Sequence, residues 1–211
     1  MVNKPNPNPQ YIVIEGAEGS GKSTQVERLA QYLTDQGILT KVVREPGSTP
    51  AGEAIRNLNQ HSKFDLDPKT GLLLVYAARV ELLNYISQLT KSGQWVISDR
   101  NYLSTYAYQG YGQGMDISTI DQVHRAVMPD NLVPDHTFVI DTSFATNQAR
   151  LGSQAAELDR FERMGPDFHT RVHQGYQKLI KNQPNITRVN GDQTIAAIHA
   201  DIVEHLDTSH R

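Results

Sequence analysis

The chain has 211 residues, with 20 lysines and arginines against 23 aspartates and glutamates, a net charge of −3, and no cysteine. That balance argues against a protein that coats nucleic acid or an anionic membrane, and the absent thiols exclude disulfides, zinc–thiolate sites and cysteine nucleophiles. The longest apolar run, Leu72 to Ala78, falls far short of the roughly 20 residues that span a bilayer, and the opening MVNKPNPNPQ lacks the apolar stretch of a secretory signal, so the cytoplasm is the expected compartment.

Residues 1–10, rich in proline and asparagine, read as a flexible lead-in. Tyr11 to Ile14 is a short apolar run with β-branched residues, the pattern of a strand covered on both faces. Similar runs recur at 40–44, 95–98 and 137–141, with a weaker one at 186–190. Helical spacing fills the intervals. Val26, Leu29, Ala30 and Leu33 repeat along 23–36 before Gly37 ends the helix. Helices are also expected over 72–91, 117–128, 166–183 and 193–206. Strands alternating with helices imply parallel strands joined by right-handed crossovers. The expected fold is α/β, three layers, with about five strands in one parallel sheet. Residues 11–206 contain no linker and form a single expected domain, followed by a tail at 207–211. The polar segment 148–165 interrupts the pattern and reads as a mobile insert.

Gly16-Ala17-Glu18-Gly19-Ser20-Gly21-Lys22-Ser23 fits G-x-x-x-x-G-K-[ST] and lies between the first strand and the first helix, the context that gives this pattern meaning. Glycines let backbone N–H groups close around phosphate oxygens, and the helix adds the positive end of its dipole. Lys22 offers a point charge to the β- and γ-phosphates, and the Ser23 hydroxyl suits Mg²⁺, a hard ion. Gly16 to Thr24 are therefore the expected ATP-binding residues. The loop alone does not separate kinases from GTPases or motors. The chain is short for a motor and carries no Asn-Lys-x-Asp guanine motif, which favours a small kinase.

Arg44 ends the second strand run, and Asp99-Arg100 follows the third. In an open parallel sheet the strand C-terminal ends share one edge, where ligands bind. Two arginines directed at one place repel each other unless an anion lies between them. A second phosphate is the natural candidate.

YIVIEGAEGSGKST, REPGSTPAGEAIR, YAARVELL, SDRNYLSTYAYQG and ELDRFE occur in order from Tyr11 to Glu162, and this set resembles the bacterial branch of the thymidylate kinases. The resemblance implies transfer of the γ-phosphoryl group of ATP to dTMP, giving dTDP, with Mg²⁺. It implies that Arg100 and Arg44 hold the dTMP phosphate, with Glu18 beside the sugar and phosphate and Arg79 on the thymine O4. Ser104, Thr105, Tyr108 and Gln109 would line the base and sugar, the Tyr108 ring crowding a ribose 2′-hydroxyl. The family is usually homodimeric, and segment 148–165 would be its lid.

Three features depart from that pattern, one of them Asn101, which follows Asp99-Arg100 where the family often has an aromatic residue or histidine. Val75 stands where the family usually carries a phenylalanine that stacks on thymine, so either Tyr76 compensates or base affinity falls. Within the lid segment, residues 148–162 hold only Arg150 and Arg160, with Arg163 just beyond, and either of the first two is the candidate for transition-state charge. The resulting scheme has Lys22, Mg²⁺ at Ser23 and a lid arginine neutralising the ATP side, and Arg44 and Arg100 positioning the acceptor phosphate. Asp99 would order magnesium-bound water or Arg100. The acceptor oxygen is already anionic, so no general base is needed. His169 and His173, one helical turn apart, read as solvated. Alternatives are a kinase for another nucleoside monophosphate, which Arg79, Tyr108 and the Ser-Thr-x-Ala-Tyr-Gln stretch disfavour, and a P-loop switch without turnover, which leaves the arginines unexplained. Neither nucleic acid nor membrane is an expected partner.

Overall fold

The computed structural model describes residues 8–61, 63–129, 132–151, 159–181, 183 and 185–209. Most of the expected lead-in, 1–7, the centre of the expected lid, 152–158, and the last two residues of the tail lie outside the described residues.

Five parallel strands form one sheet: β1 (Tyr11–Glu15), β2 (Thr40–Arg44), β3 (Trp95–Asp99), β4 (His136–Asp141) and β5 (Ile186–Asn190). Their spatial order is β2-β3-β1-β4-β5, so β1 sits at the centre. Every residue of β1 is buried, as its unbroken apolar run requires of a strand covered on both faces. Ile12 and Ile14 face one layer, where Val26, Leu29 and Leu33 of α1 (Lys22–Asp35) meet Ile198, Ile202 and Leu206 of α8 (Ile195–Ser209). Tyr11 and Val13, one residue out of phase, face the other layer, against Leu82, Leu83, Ile86 and Leu89 of α3 (Pro68–Lys91). On that same side Val139 of β4 packs with Phe168, Val172 and Tyr176 of α7 (Pro166–Ile180).

The long helices follow their sequence patterns. Asp67 caps α3 by accepting from the Lys69 N–H, with Pro68 at the first helical position, which moves its start ahead of the apolar run. α5 (Ile117–Val127) begins the same way, with Asp116 accepting from the Ser118 N–H. Three short helices go beyond the sequence reading: α2 (Pro50–Arg56), α4 (Tyr102–Thr105) and α6 (Phe144–Leu151). α2 and α4 each run on into a π-helical stretch, Asn57–His61 and Tyr106–Gly112. Among the described residues no helix is long and apolar enough to cross a membrane.

Candidate active site

The sequence between β1 and α1 wraps the first turn of α1. Gly16 has φ 149°, and a Cβ there would lie 2.7 Å from both the Ile140 carbonyl oxygen and Ser20 Oγ, so only glycine fits. Gly21 caps α1 in the left-handed conformation with no side-chain bond, leaving the helix's first N–H groups directed at any anion in the loop. Lys22 is buried, and its Nζ donates to the Ala17 carbonyl at 2.9 Å. Burial, then the nearby Arg100, pull its ammonium below the ordinary lysine range. The chamber beside the loop encloses about 630 Å³ and is bordered by Ser23, Thr24, Arg150, Gln193 and Thr194. Arg150 straps this chamber: it donates to the Ser20 carbonyl at 3.2 Å and, from Nη2, to the Gly191 carbonyl at 3.1 Å.

Arg100 follows β3 with φ 76°, a left-handed conformation that is unfavourable for a side chain this size and so must be held by its surroundings. Its guanidinium donates to the Gly16 carbonyl at 3.1 Å, to Ser104 Oγ at 3.0 Å, and to Tyr108 and Glu18. Burial works against the Glu18 carboxylate, but Arg100, Lys22 and the Tyr108 hydroxyl overcome it and bring its pKa down to about 2. Behind Arg100 lies Glu15, fully buried at the end of β1. It accepts from the N–H groups of Asn101 and Ser104 and from the hydroxyls of Ser104 and Tyr176. These bonds tie β1, the start of α4 and α7 into one support for Arg100.

A second arginine enters the same chamber. Arg56, at the end of α2, donates to the Pro46 carbonyl at 3.0 Å and borders the space shared by Lys22, Ser23, Asp99 and Arg100. Burial first, then the charges of Arg44 and Arg100, lower its guanidinium against the opposing pull of Asp159 and Glu53. Arg44 does not border this chamber. β2 is an edge strand, Val43 takes the inward position, and Arg44 turns outward to Glu53 at 3.0 Å with 54% of its side chain exposed.

Ser23 Oγ donates to Asp99 Oδ2 at 3.1 Å, and Asp99 Oδ1 is buried without a partner. This pair of hard oxygen donors beside the loop suits a divalent cation whose remaining positions are taken by water or phosphate. Among the described residues no group of three or more His, Cys, Asp or Glu forms a metal cage.

Beyond Arg100 the chamber narrows to a slot lined by Pro46, Val75, Arg79, Thr105, Gln109 and Phe161, among others. Arg79 is 1% exposed. It pairs with Glu45, donates to Thr105 Oγ1 at 2.7 Å, and leaves Nη1 buried without a partner. Burial raises the Glu45 carboxyl against the pull of Arg79. Ser104, Thr105, Tyr108 and Gln109 all border the slot. Tyr76 does not: its hydroxyl bonds His124 Nδ1 at 3.2 Å, and the Arg79 guanidinium covers its ring at 4.4 Å. The aromatic rings on the slot are Tyr108 and Phe161, packed edge-on to each other. Arg160 is turned away from the phosphate loop and donates to the Leu66 carbonyl at 2.8 Å. Glu15, Arg56, Asn59, Gln60, Phe161 and Tyr176 were not singled out from sequence. Of these, Glu15, inside YIVIEGAEGSGKST, Arg56, inside REPGSTPAGEAIR, and Phe161, inside ELDRFE, lie within stretches that carry the resemblance.

Residues 14–202 match the family model described as thymidylate kinase. A thymidylate kinase of Chlorobaculum tepidum is 38% identical over 206 residues, covering 93% of this chain and 96% of its own. One from Legionella pneumophila is 36% identical over 196 residues, covering 92% of each. The crystal structure of thymidylate kinase from Ehrlichia chaffeensis superposes with a TM-score of 0.74 at 32% identity, covering 95% of this chain and 99% of that one.

Proposed function

The chain belongs to the thymidylate kinase family, with its P-loop NTPase fold, and on that premise we propose how its own residues move the γ-phosphoryl group of ATP onto dTMP to give dTDP and ADP. The observation that carries the reading is the convergence of Arg56 and Arg100 on a chamber that borders the phosphate loop on one side and the slot of Val75 and Arg79 on the other.

The triphosphate lies along Gly16 to Thr24, with Lys22 on its β- and γ-oxygens and Arg150 beside the loop. Ser23 and Asp99 would hold Mg²⁺, directly or through water, and the ion would supply neutralisation of phosphate charge. Arg56 and Arg100 hold the dTMP phosphate. What supports Arg56 over Arg44 in this role is the outward ion pair of Arg44 with Glu53. Glu18, fixed by Arg100 and Tyr108, stands at the sugar. Arg79 donates from its unpartnered Nη1 to the thymine O4, and Val75, Ser104, Thr105, Tyr108 and Gln109 enclose base and sugar.

Transfer is a single in-line displacement. A dTMP phosphate oxygen forms the new bond to the γ-phosphorus as the bond to the β–γ bridging oxygen breaks, and ADP leaves with that electron pair. The attacking oxygen is anionic near neutral pH, so no side chain removes a proton. The protein's task is alignment and charge neutralisation.

We place the reaction in the cytoplasm, where both nucleotides occur. We also assign the chain to a homodimer, supported by the exposed apolar side chains Leu58, Phe64 and Leu73 near the start of α3. An ADP-release assay with Mg-ATP against dTMP, dUMP, UMP, CMP and AMP tests the function. Turnover on dTMP far above the ribonucleotides is expected. ATP hydrolysis indifferent to every monophosphate would overturn the reading.

A further inference from the structure

Asn59 is 1% exposed, and neither its Nδ2 nor its Oδ1 has a hydrogen-bond partner. A buried carboxamide with both ends unpaired is a burden on the free protein, because it gives up water and receives nothing in return. A leucine, with the same branched skeleton and no polar atoms, would remove that burden. Asn59 nevertheless lies on the wall of the slot, next to Gln60, whose Oε1 is also buried and unpartnered.

The backbone presents these groups together. Asn59 and Gln60 sit on the π-helical stretch Asn57–His61, whose wider turn lets two consecutive side chains face the same space. The second π-helical stretch does the same with Tyr108 and Gln109. Gly71, Val75 and Arg79 fall at i, i+4 and i+8 on α3 and make one stripe along the helix. A Cβ on Gly71 would lie 3.3 Å from Asn59 Oδ1, so Asn59 rests over the start of that stripe. Val75 is then an apolar floor between two unpartnered polar groups, Asn59 at one end and Arg79 Nη1 at the other.

That arrangement complements a flat ring whose edge carries hydrogen-bonding groups. An imide edge presents carbonyl, N–H, carbonyl in a row. Arg79 Nη1 is a donor only, whereas a carboxamide carries one donor end and one acceptor end. We propose that Asn59 is a base-reading residue: its Oδ1 accepts from the pyrimidine N3–H and its Nδ2 donates to the O2 carbonyl, while Arg79 takes O4. The inference rests on the dTMP-kinase reading of the same site and adds to it a determinant of base affinity. It also gives the slot a polar grip on the ring edge where Val75 offers only a smooth face.

Asn59→Leu tests it. Titration calorimetry with dTMP, steady-state kinetics for both substrates and the melting temperature of the free protein are measured together. A base contact predicts a roughly tenfold or greater rise in the dTMP dissociation constant and KM, since a hydrogen-bonded ring edge now meets an apolar wall. The KM for ATP stays unchanged, kcat changes little, and the free protein melts higher because an unpaired buried amide is gone. Unchanged dTMP affinity, or a lower melting temperature with equal losses toward both substrates, would overturn the assignment and make Asn59 structural. If the leucine variant does not fold, Asn59→Ser is read for the same dTMP-specific loss. Failure of the wild-type protein to phosphorylate dTMP would instead overturn the parent reading. Wild-type turnover with an unaltered Asn59→Leu dissociation constant overturns this inference alone.

Discussion

Glu18 and Arg100 are bound to each other across the mouth of the phosphate loop, and the Tyr108 hydroxyl donates at 2.9 Å to the same Glu18 oxygen that Arg100 holds. The carboxylate thus occupies part of the charge that an incoming phosphate needs, and it keeps the arginine aimed while the site is empty. Removing Arg100 leaves Glu18 facing the phosphates with its partner gone. Arg100→Ala is therefore expected to lower kcat/KM for dTMP at least about 30-fold, in line with the roughly 2–5 kcal/mol lost when one member of a desolvated charge pair is truncated. Arg100→Lys should recover only a small part, because an ammonium cannot reach the Gly16 carbonyl, Ser104, Tyr108 and Glu18 at once. Steady-state kinetics with dTMP varied at saturating ATP would decide this. A loss below about tenfold would contradict the role.

The same pair makes stability depend on pH. Glu18 titrates near 2 in the folded chain and at 4.5 ordinarily, so the unfolded chain binds the extra proton between these values. Its contribution is fully present above pH 4.5 and disappears as pH falls toward 2. It has an upper bound on the order of 3 kcal/mol. Urea unfolding of the wild type and Glu18→Gln should differ most above pH 4.5 and converge toward pH 2. A constant difference across that range would mean the ion pair contributes nothing.

His124 acts in a separate and higher window. Burial first, then the charge of Arg79, bring its imidazole down to about 4, and its Nδ1 takes the Tyr76 hydroxyl. The rings of Tyr102 and Tyr106 pack against it as well. A base depressed from 6.5 to about 4 favours the neutral folded state, so its stabilisation is whole above pH 6.5 and lost on descending to pH 4. His124→Gln should flatten the fall in melting temperature between those pH values. An unchanged slope in the variant would show that His124 titrates alike in both states.

The sheet and its long helices were legible because the central strands β1, β3 and β4 are short, largely apolar and buried, the edge strands β2 and β5 still carry β-branched residues, and each long helix carries its own spacing. The segments that close the site were not. α2 carries a readable start signal, since Thr49 Oγ1 accepts from the Gly52 N–H with Pro50 at the first position, but it is short and has no apolar stripe. The two π-helical stretches follow no apolar repeat, so Asn59 and Gln60 looked like polar loop residues. Arg44 looked well placed because a strand end points toward the ligand edge. Its side chain obeys the strand's alternation instead, and Arg56 one helix later stands in the chamber. Glu15 reads as an ordinary strand-end carboxylate until its four donors, from the start of α4 and from α7, are in view.

Phe161 is an apolar aromatic on the base slot, 6% exposed and packed edge-on against Tyr108 at 5.9 Å between centroids. It reaches the slot from the far end of the lid segment, whereas Val75 forms the helix side. Phe161→Leu keeps the apolar volume and removes the ring, so it should raise the KM for dTMP about fivefold, matching the roughly 1 kcal/mol that an aromatic contact adds beyond burial. The KM for ATP should not move. An equal rise for both substrates would show that the substitution had disturbed the lid rather than the slot.

Arg150 and Arg160 were indistinguishable in the sequence, and their surroundings now separate them. Arg150 binds the carbonyls of Ser20 and Gly191 and borders the chamber beside the phosphate loop, so it lies within one side-chain rearrangement of the triphosphate. Arg160 donates to the Leu66 carbonyl, and its backbone N–H donates to the Gln60 carbonyl at 3.1 Å, which fastens the end of the lid segment to the stretch bearing Asn59 and Gln60. Charge that develops on the transferring phosphoryl group is stabilised only by a cation that can reach it. Arg150→Ala should therefore lower kcat by roughly 100-fold, the scale of losing one preorganised donor at the transition state. Arg160→Ala should leave kcat within about threefold and act chiefly on the KM for dTMP through the slot wall, a smaller loss because no transition-state donor is removed. Single-turnover transfer at saturating ATP and dTMP isolates the chemical step. If Arg160→Ala showed the larger loss in that step, the lid would have to close in a way that exchanges the two arginines.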